Sequence, residues 1–253
     1  MGADPVFGSP RRHYRLTDST NERARELVVA GAPSGAIVTA SEQSEGRGRR
    51  GRTWSAPPGK ALLLSAILSP LHAEHALLPL AVPLAVCEAV ESIAPLECRV
   101  KWPNDVWHEE RKLAGVLIEA QPPDWAVMGI GLNVSIEPDE FPDDLRQPAT
   151  CVGHGVDTEG ALEALCTALG RWVAAPADRV VAEFEARDAL RGREIGWAGA
   201  GGEAGDGSGV EKGIDERGNL VVVTNQGERL SLGSGEVTLK LDRATREARD
   251  RAE

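Results

Sequence analysis

The sequence predicts a mixed domain, α/β or α+β, followed by a small β-barrel module. Two observations carry that reading. Up to about residue 190, apolar strand-like runs alternate with stretches of helical spacing. After Arg191 the chain changes to short strand-like runs parted by Gly-rich turns. With 253 residues, 42% of them hydrophobic, there is enough apolar material for one large domain or for a domain and a module.

Asp18, Ser19, Thr20 and Asn21 precede Glu22 and the run RARELVVAG, which predicts a helix with a polar N-cap ending at Gly31. Residues 36–40 (AIVTA) suit a buried strand, and residues 41–60 show no apolar periodicity and predict a loop. ALLLSAIL (61–68) reads as a second buried strand, and 73–93 as an apolar helix bent near Pro83. Next come CRVKW (98–102), a Pro-Asn-Asp turn, and the strands 112–120 and 125–134 joined by a QPPD hairpin turn. Two helical stretches fill 158–190. In the module, Asp215–Asn219 and Asn225–Gly227 are turn signals. The domains that follow are 1–191, 192–241 and a mostly charged tail, 242–253, read as a frayed helix or disordered.

Composition excludes several functions. Lys plus Arg number 28 against 39 Asp plus Glu, a net charge of −11, which argues against a dedicated nucleic-acid binder. Any basic cluster must then serve a local purpose. The four cysteines, Cys87, Cys98, Cys151 and Cys166, show no CxxC spacing and read as free thiols of a reducing compartment. The N-terminus lacks the apolar run of a signal peptide. The stretch Ala76–Cys87 is too short to span a bilayer. A soluble, cytoplasmic protein without membrane contact is expected.

The chemistry is concentrated in a few motifs. GRGRRGRTW (46–54) sets Arg47, Arg49, Arg50 and Arg52 among Gly46, Gly48 and Gly51. Arginine forks suit carboxylate and phosphate oxygens, and glycine lets backbone approach a ligand closely. The loop reads as an anion-binding element that orders around a nucleotide, or as a solvated basic loop or processing site. Lys112 begins an otherwise apolar strand, where it either pairs with an anion or snorkels to water. In KWPND (101–105), Asn104 and Asp105 suit turn chemistry or catalysis. Asn133 ends GIGLNV as a contact at a site mouth or as a strand-end cap. His72 and His75 lack ligand partners and read as surface residues. No GxxxxGK[ST] is present, so a P-loop is excluded.

In this order, DSTN, EQSEGRGRRGRTW, KWPND, RKLAGVLIE and GIGLNV resemble the biotin protein ligase family, and GIDERGNL and SGEVTL resemble its small C-terminal module. The likeness covers about residues 16–241. It implies an α+β fold: a mixed-sheet catalytic domain of the biotin/lipoate ligase type with a C-terminal SH3-like β-barrel. It also implies the monofunctional class, since 17 residues before Asp18 are too few for a winged helix-turn-helix domain. Glu45 departs from the family, which usually has a small residue there, and 198–209 is longer and more Gly/Ala-rich than expected.

The family's reaction has two steps. Biotin's carboxylate attacks the α-phosphorus of ATP, giving biotinyl-5′-AMP and releasing pyrophosphate; a lysine of a biotin carboxyl carrier domain then attacks the acyl carbon and displaces AMP. ATP, Mg²⁺ and biotin are the implied ligands, a carboxylase carrier domain the partner, and a monomer or weak homodimer the expected state. By resemblance Lys112 bridges the biotin carboxyl and the α-phosphate, with Arg47 and Arg49 closing over biotin and the phosphates and Arg50 and Arg52 assisting. Ser19, Thr20, Asn21 and Gln43 meet the ureido ring, and Gly48 and Gly115 line the biotin site. Trp54 covers the adenine, and Asn104 and Asn133 reach the nucleotide or its Mg²⁺; direct metal ligands are not identified. Asp105 faces the incoming lysine. Reference pKa values about 6.5 apart, near 9 kcal/mol, make it an orienting group before a full base.

Three other functions compete. A lipoate or octanoate ligase or transferase shares the fold but carries a His-containing loop where GRGRRGR stands. A biotin-responsive repressor needs a DNA-binding domain, and an RNA-binding module leaves KWPND and Lys112 unexplained.

Overall fold

The computed structural model describes residues 5–143, 145, 147–198, 205–233 and 236–239. Contacts divide the chain into two compact units, 1–187 and 188–253. The expected tail, 242–253, lies outside the described residues.

The first unit is built on a seven-stranded sheet in the order β1-β2-β3-β7-β6-β5-β4. The strands are β1 (Arg11–Tyr14), β2 (Ile37–Ala40), β3 (Ala61–Leu68), β4 (Arg99–Lys101), β5 (Asp105–His108), β6 (Arg111–Gln121) and β7 (Trp125–Asn133). β1 runs parallel to β2 and every other pair is antiparallel, so the sheet is mixed. Gln121–Asp124 closes the expected β6–β7 hairpin.

Direct cross-strand pairs place side chains on a common face. Ser65 stands opposite Gly129, which stands opposite Leu117. Leu63, Gly131 and Gly115 form the next row. On this face lies helix α1 (Thr20–Val29), whose Ala24 and Val28 pack with Val38, Ile67 and Val127. The alternate residues, Leu64, Met128, Ile130 and Leu132, are buried on the other face. They are covered by α2 (Leu78–Ile93) and α3 (Thr158–Val173), which pack together and against β6 and β3. A shorter helix, α4 (Ala177–Arg187), packs on α2.

A 3₁₀ turn at Ala73–Leu77 leads into α2, and Pro83 lies inside that helix. The combined Ala73–Ile93 segment has the length and hydropathy of a membrane span, longer than the Ala76–Cys87 stretch that stands out by sequence. Its most apolar window is 67% buried within the protein, which marks it as a core helix. Arg187 pairs with Glu91 and Glu183, each at 2.6 Å, and ties α4 to α2. All four cysteines are free thiols.

The second unit is a five-stranded antiparallel sheet ordered β11-β10-β9-β8-β12. Its strands are β8 (Glu194–Ala198), β9 (Gly207–Ile214), β10 (Leu220–Thr224), β11 (Arg229–Leu232) and β12 (Glu236–Leu239). The turns at 215–219 and 225–227 join β9 to β10 and β10 to β11, as expected. This is the small antiparallel module anticipated for a C-terminal SH3-like barrel.

Candidate active site

Where α1 begins, the sheet face beneath it is floored by three glycines, Gly115, Gly129 and Gly131. None has a positive φ, so glycine serves there for want of a Cβ and not for conformation. A Cβ at Gly129 would stand 2.1 Å from Asn21 Oδ1, and one at Gly131 2.4 Å from Trp54 Cε2. At Gly115 it would meet Trp54 Cζ3 at 3.0 Å and Lys112 Nζ at 3.2 Å. The floor therefore carries two groups laid directly on backbone, Asn21 at one end and the Trp54 indole at the other.

The Asn21 end is a connected polar cluster. The helix begins at Thr20, and the Ser19 side chain makes no capping bond, contrary to the polar cap read from DSTN. Gln43 supplies that function from the next loop: its Oε1 accepts from Thr20 N at 2.7 Å and from Thr20 Oγ1 at 3.0 Å. Ser65 Oγ donates to Asn21 Oδ1 at 2.6 Å and lies 2.8 Å from Thr20 Oγ1. Asn21 Nδ2 donates to Glu119 Oε2 at 2.8 Å. Ser19, Thr20, Asn21 and Ser65 are all buried, so these bonds are largely sheltered from water.

At the other end Lys112 Nζ pairs with Asp105 Oδ1 at 2.8 Å, and the same ammonium lies 5.5 Å from the Trp54 ring centroid. Asp105 stands directly opposite Gly115 on β5. Arg49 belongs to this end. Burial lowers its pKa from the ordinary arginine value, Arg50 and Arg52 push the same way, and the Asp105 charge opposes them.

The arginine loop, read from sequence as unpatterned, closes as a tight hairpin. Trp54 N donates to Gly46 O at 2.8 Å, Arg47 bridges Thr53, and Gly48 N donates to Arg52 O at 2.7 Å. Its tip is a 3₁₀ turn, Arg49–Gly51, in which Arg50 takes a left-handed φ of 59°. Gly46 permits the closure, because a Cβ there would meet Trp54 O at 2.3 Å.

The structure brings Lys112, Asp105, Arg49, Trp54 and Gly115 together, and separately Thr20, Asn21 and Gln43. It does not bring Arg47 to Lys112. The Arg47 guanidinium lies against Glu22 and Glu119, at the Asn21 end. The amides of Asn104 and Asn133 serve the backbone: Asn104 Nδ2 donates to Val116 O at 2.8 Å and Asn133 Nδ2 to Thr150 O at 2.9 Å. His72 is exposed and His75 half-buried, in the turn before α2. Among the described residues no group of three or more His, Cys, Asp or Glu side chains gathers to hold a metal.

Sequence reasoning passes over Ser65, Glu22 and Glu119. The signal for Ser65 is a lone hydroxyl inside an eight-residue apolar strand. For the glutamates there is none, because the site partners they meet, Arg47 for Glu22 and Asn21 for Glu119, are distant in sequence. Lys101 is a further omission, a buried lysine cross-strand from Asp105 with Nζ 5.2 Å from the Trp107 ring centroid.

Comparison with known proteins identifies the family. Residues 13–134 match the biotin/lipoate A/B protein ligase family, and residues 200–240 match the biotin protein ligase C-terminal domain. The bifunctional ligase/repressor BirA of Bacillus subtilis (strain 168) is 34% identical over 169 residues, which cover 62% of this chain and 52% of that protein. The chain thus spans about half the length of that relative. The biotin–[acetyl-CoA-carboxylase] ligase of Paracoccus denitrificans is 38% identical over 174 residues, 62% of this chain and 70% of that protein. Among solved structures, the biotin protein ligase of Aquifex aeolicus in complex with biotin and ATP superposes with a TM-score of 0.79 at 28% identity, covering 92% of this chain and 99% of that one.

Proposed function

Because this chain belongs to the biotin protein ligase family, we propose that it converts biotin and ATP to biotinyl-5′-AMP and pyrophosphate, then passes the biotinyl group to a lysine of a carboxylase carrier domain with release of AMP. One observation carries the reading. The glycine-floored face has the hydrogen-bonding cluster of Thr20, Asn21, Gln43 and Ser65 at one end, where Glu22 and Glu119 offset Arg47, and Lys112 with the half-buried Arg49 at the other. A ligand with a polar ring, an apolar chain and a terminal carboxylate is complementary to that order.

In this reading Thr20, Asn21 and Gln43 receive the ureido ring, with Ser19 and Ser65 behind them, and Gly115 leaves room for the chain. Lys112 and Arg49 take the carboxylate and the α-phosphate, two anions whose approach requires fixed positive charge. Arg47, Arg50 and Arg52 close over the ligands as the loop hairpin with Gly48 tightens. Trp54 moves from the glycine floor to cover the adenine. Asn104 and Asn133 reach the nucleotide or its Mg²⁺. Mg²⁺ enters as the counter-ion of ATP. Once the carboxylate has been converted to the mixed anhydride, Asp105 orients the incoming amine. An ATP-consuming reaction and four free thiols both suit the cytoplasm.

The test is mass spectrometry of a biotin carboxyl carrier domain incubated with the protein, biotin, ATP and Mg²⁺. A gain of one biotinyl group is expected. Lipoyl loading without biotinyl loading would move the chain to the sister activity.

A further inference from the structure

Arg47 rests at the wrong end of the groove for the chemistry proposed above. Its Nη1 lies 3.0 Å from Glu22 Oε2 and 4.0 Å from Glu119 Oε1. Glu119 is four residues along β6 from Gly115, about 13 Å of strand. Lys112 Nζ sits at Gly115. So the loop's first arginine is held far from the lysine by carboxylates of α1 and β6.

The Glu22 contact has the features of a reversible one. Glu22 Oε2 is buried and has no aligned hydrogen bond among the described residues, so the 3.0 Å approach is charge attraction alone. Glu22 Oε1 keeps a second cation, Arg25, so departure of Arg47 does not strand a carboxylate without charge compensation. Arg47 itself is 45% exposed, which keeps the pair weak and water within reach.

We propose that Glu22 is the resting counter-ion of Arg47 and sets how tightly the site holds an anionic ligand, whose carboxylate or phosphate must take Arg47 from it. This rests on the ligase reading. Removing the competitor should tighten anion binding by about two- to fivefold, the range expected for an exposed ion pair. An uncharged ligand should be indifferent. A merely structural role for Glu22, as an acid in the first turn of α1, would alter melting but would not separate charged from uncharged ligands.

Calorimetric titration of the full chain with biotin and with biotin methyl ester tests this in the wild type, Glu22→Gln, Arg47→Ala and the double variant. Glu22→Gln is expected to tighten biotin relative to the ester, and to do nothing when Arg47 is already alanine. Limited trypsin digestion without ligand should cut the 47–52 loop faster in Glu22→Gln. An equal shift for both ligands, a shift that survives Arg47→Ala, or unchanged digestion overturns the proposal. Wild-type protein that binds neither ligand would instead overturn the ligase reading, and this inference with it.

Discussion

Asp105 and Asp188 are the same side chain in similar burial, 9% and 3% exposed, but they have opposite neighbours. Asp105, at the start of β5, pairs with Lys112 at 2.8 Å and feels the Arg49 charge. Asp188, at the start of the second unit, lies beside the fully buried Glu211, whose Oε2 accepts from Gly192 N at 3.0 Å. Burial first, and the Glu211 charge second, push the Asp188 carboxyl up to about 7. One aspartate thus lies beside cations that a ligand can draw away. The other is kept protonated over much of the acidic range and serves packing. Burial alone does not make a carboxyl functional; the sign of its neighbour decides.

The contrast is open to experiment, and Lys112→Ala should have the largest effect. Removing a fixed donor from the adenylation step should cost roughly 10²–10³ in rate, read as pyrophosphate release. A loss below tenfold would mean that the Lys112–Asp105 pair is structural, like the carboxyl pair of the second unit. Asp105→Asn comes next. It leaves Lys112 free for an anion, so adenylation should survive while transfer to the carrier falls about tenfold. Equal loss in both half-reactions would remove the orienting role.

Asp188→Asn sharpens the other side of the comparison. Because the folded carboxyl titrates near 7 and an unfolded one near 3.8, the folded state binds more protons between those values. Stability of the second unit should therefore fall as pH rises from about 4 to about 7, then level off. In the Asp188→Asn variant this slope should flatten, by a few kcal/mol at most, in urea melts across that range. A slope unchanged by the substitution would show that Asp188 is not the group responsible.

How much of this is legible in the sequence differs by element. β3 is delimited to the residue, because ALLLSAIL is apolar but for one serine and its neighbours are turn formers. β1 is not visible: RRHY has no apolar alternation, and its strand character comes from parallel pairing with β2. β5 is hidden because DVWH follows the Pro-Asn turn so closely that only its pairing with β4 and β6 defines it. In the site, the residue types of the arginine loop suit anion binding, and those of KWPND suit a turn or catalysis. Their pairings do not show, since Arg47 meets Glu22 across 25 residues and Asn21 meets Glu119 across 98. Local pattern reports what a residue can do; only the closed sheet decides which partner it has.

The glycine floor has a consequence for anyone hoping to toughen the protein. Replacing three strand glycines with alanine would ordinarily be counted as a gain of roughly 2 kcal/mol. At Gly129 and Gly131 the new methyl group would instead have to evict the asparagine or the indole resting there. A heat-resistance campaign should leave this patch untouched and work elsewhere. Re-tailoring the ligand should likewise begin by trimming the Trp54 roof, where there is bulk to remove, and not from below, where there is none.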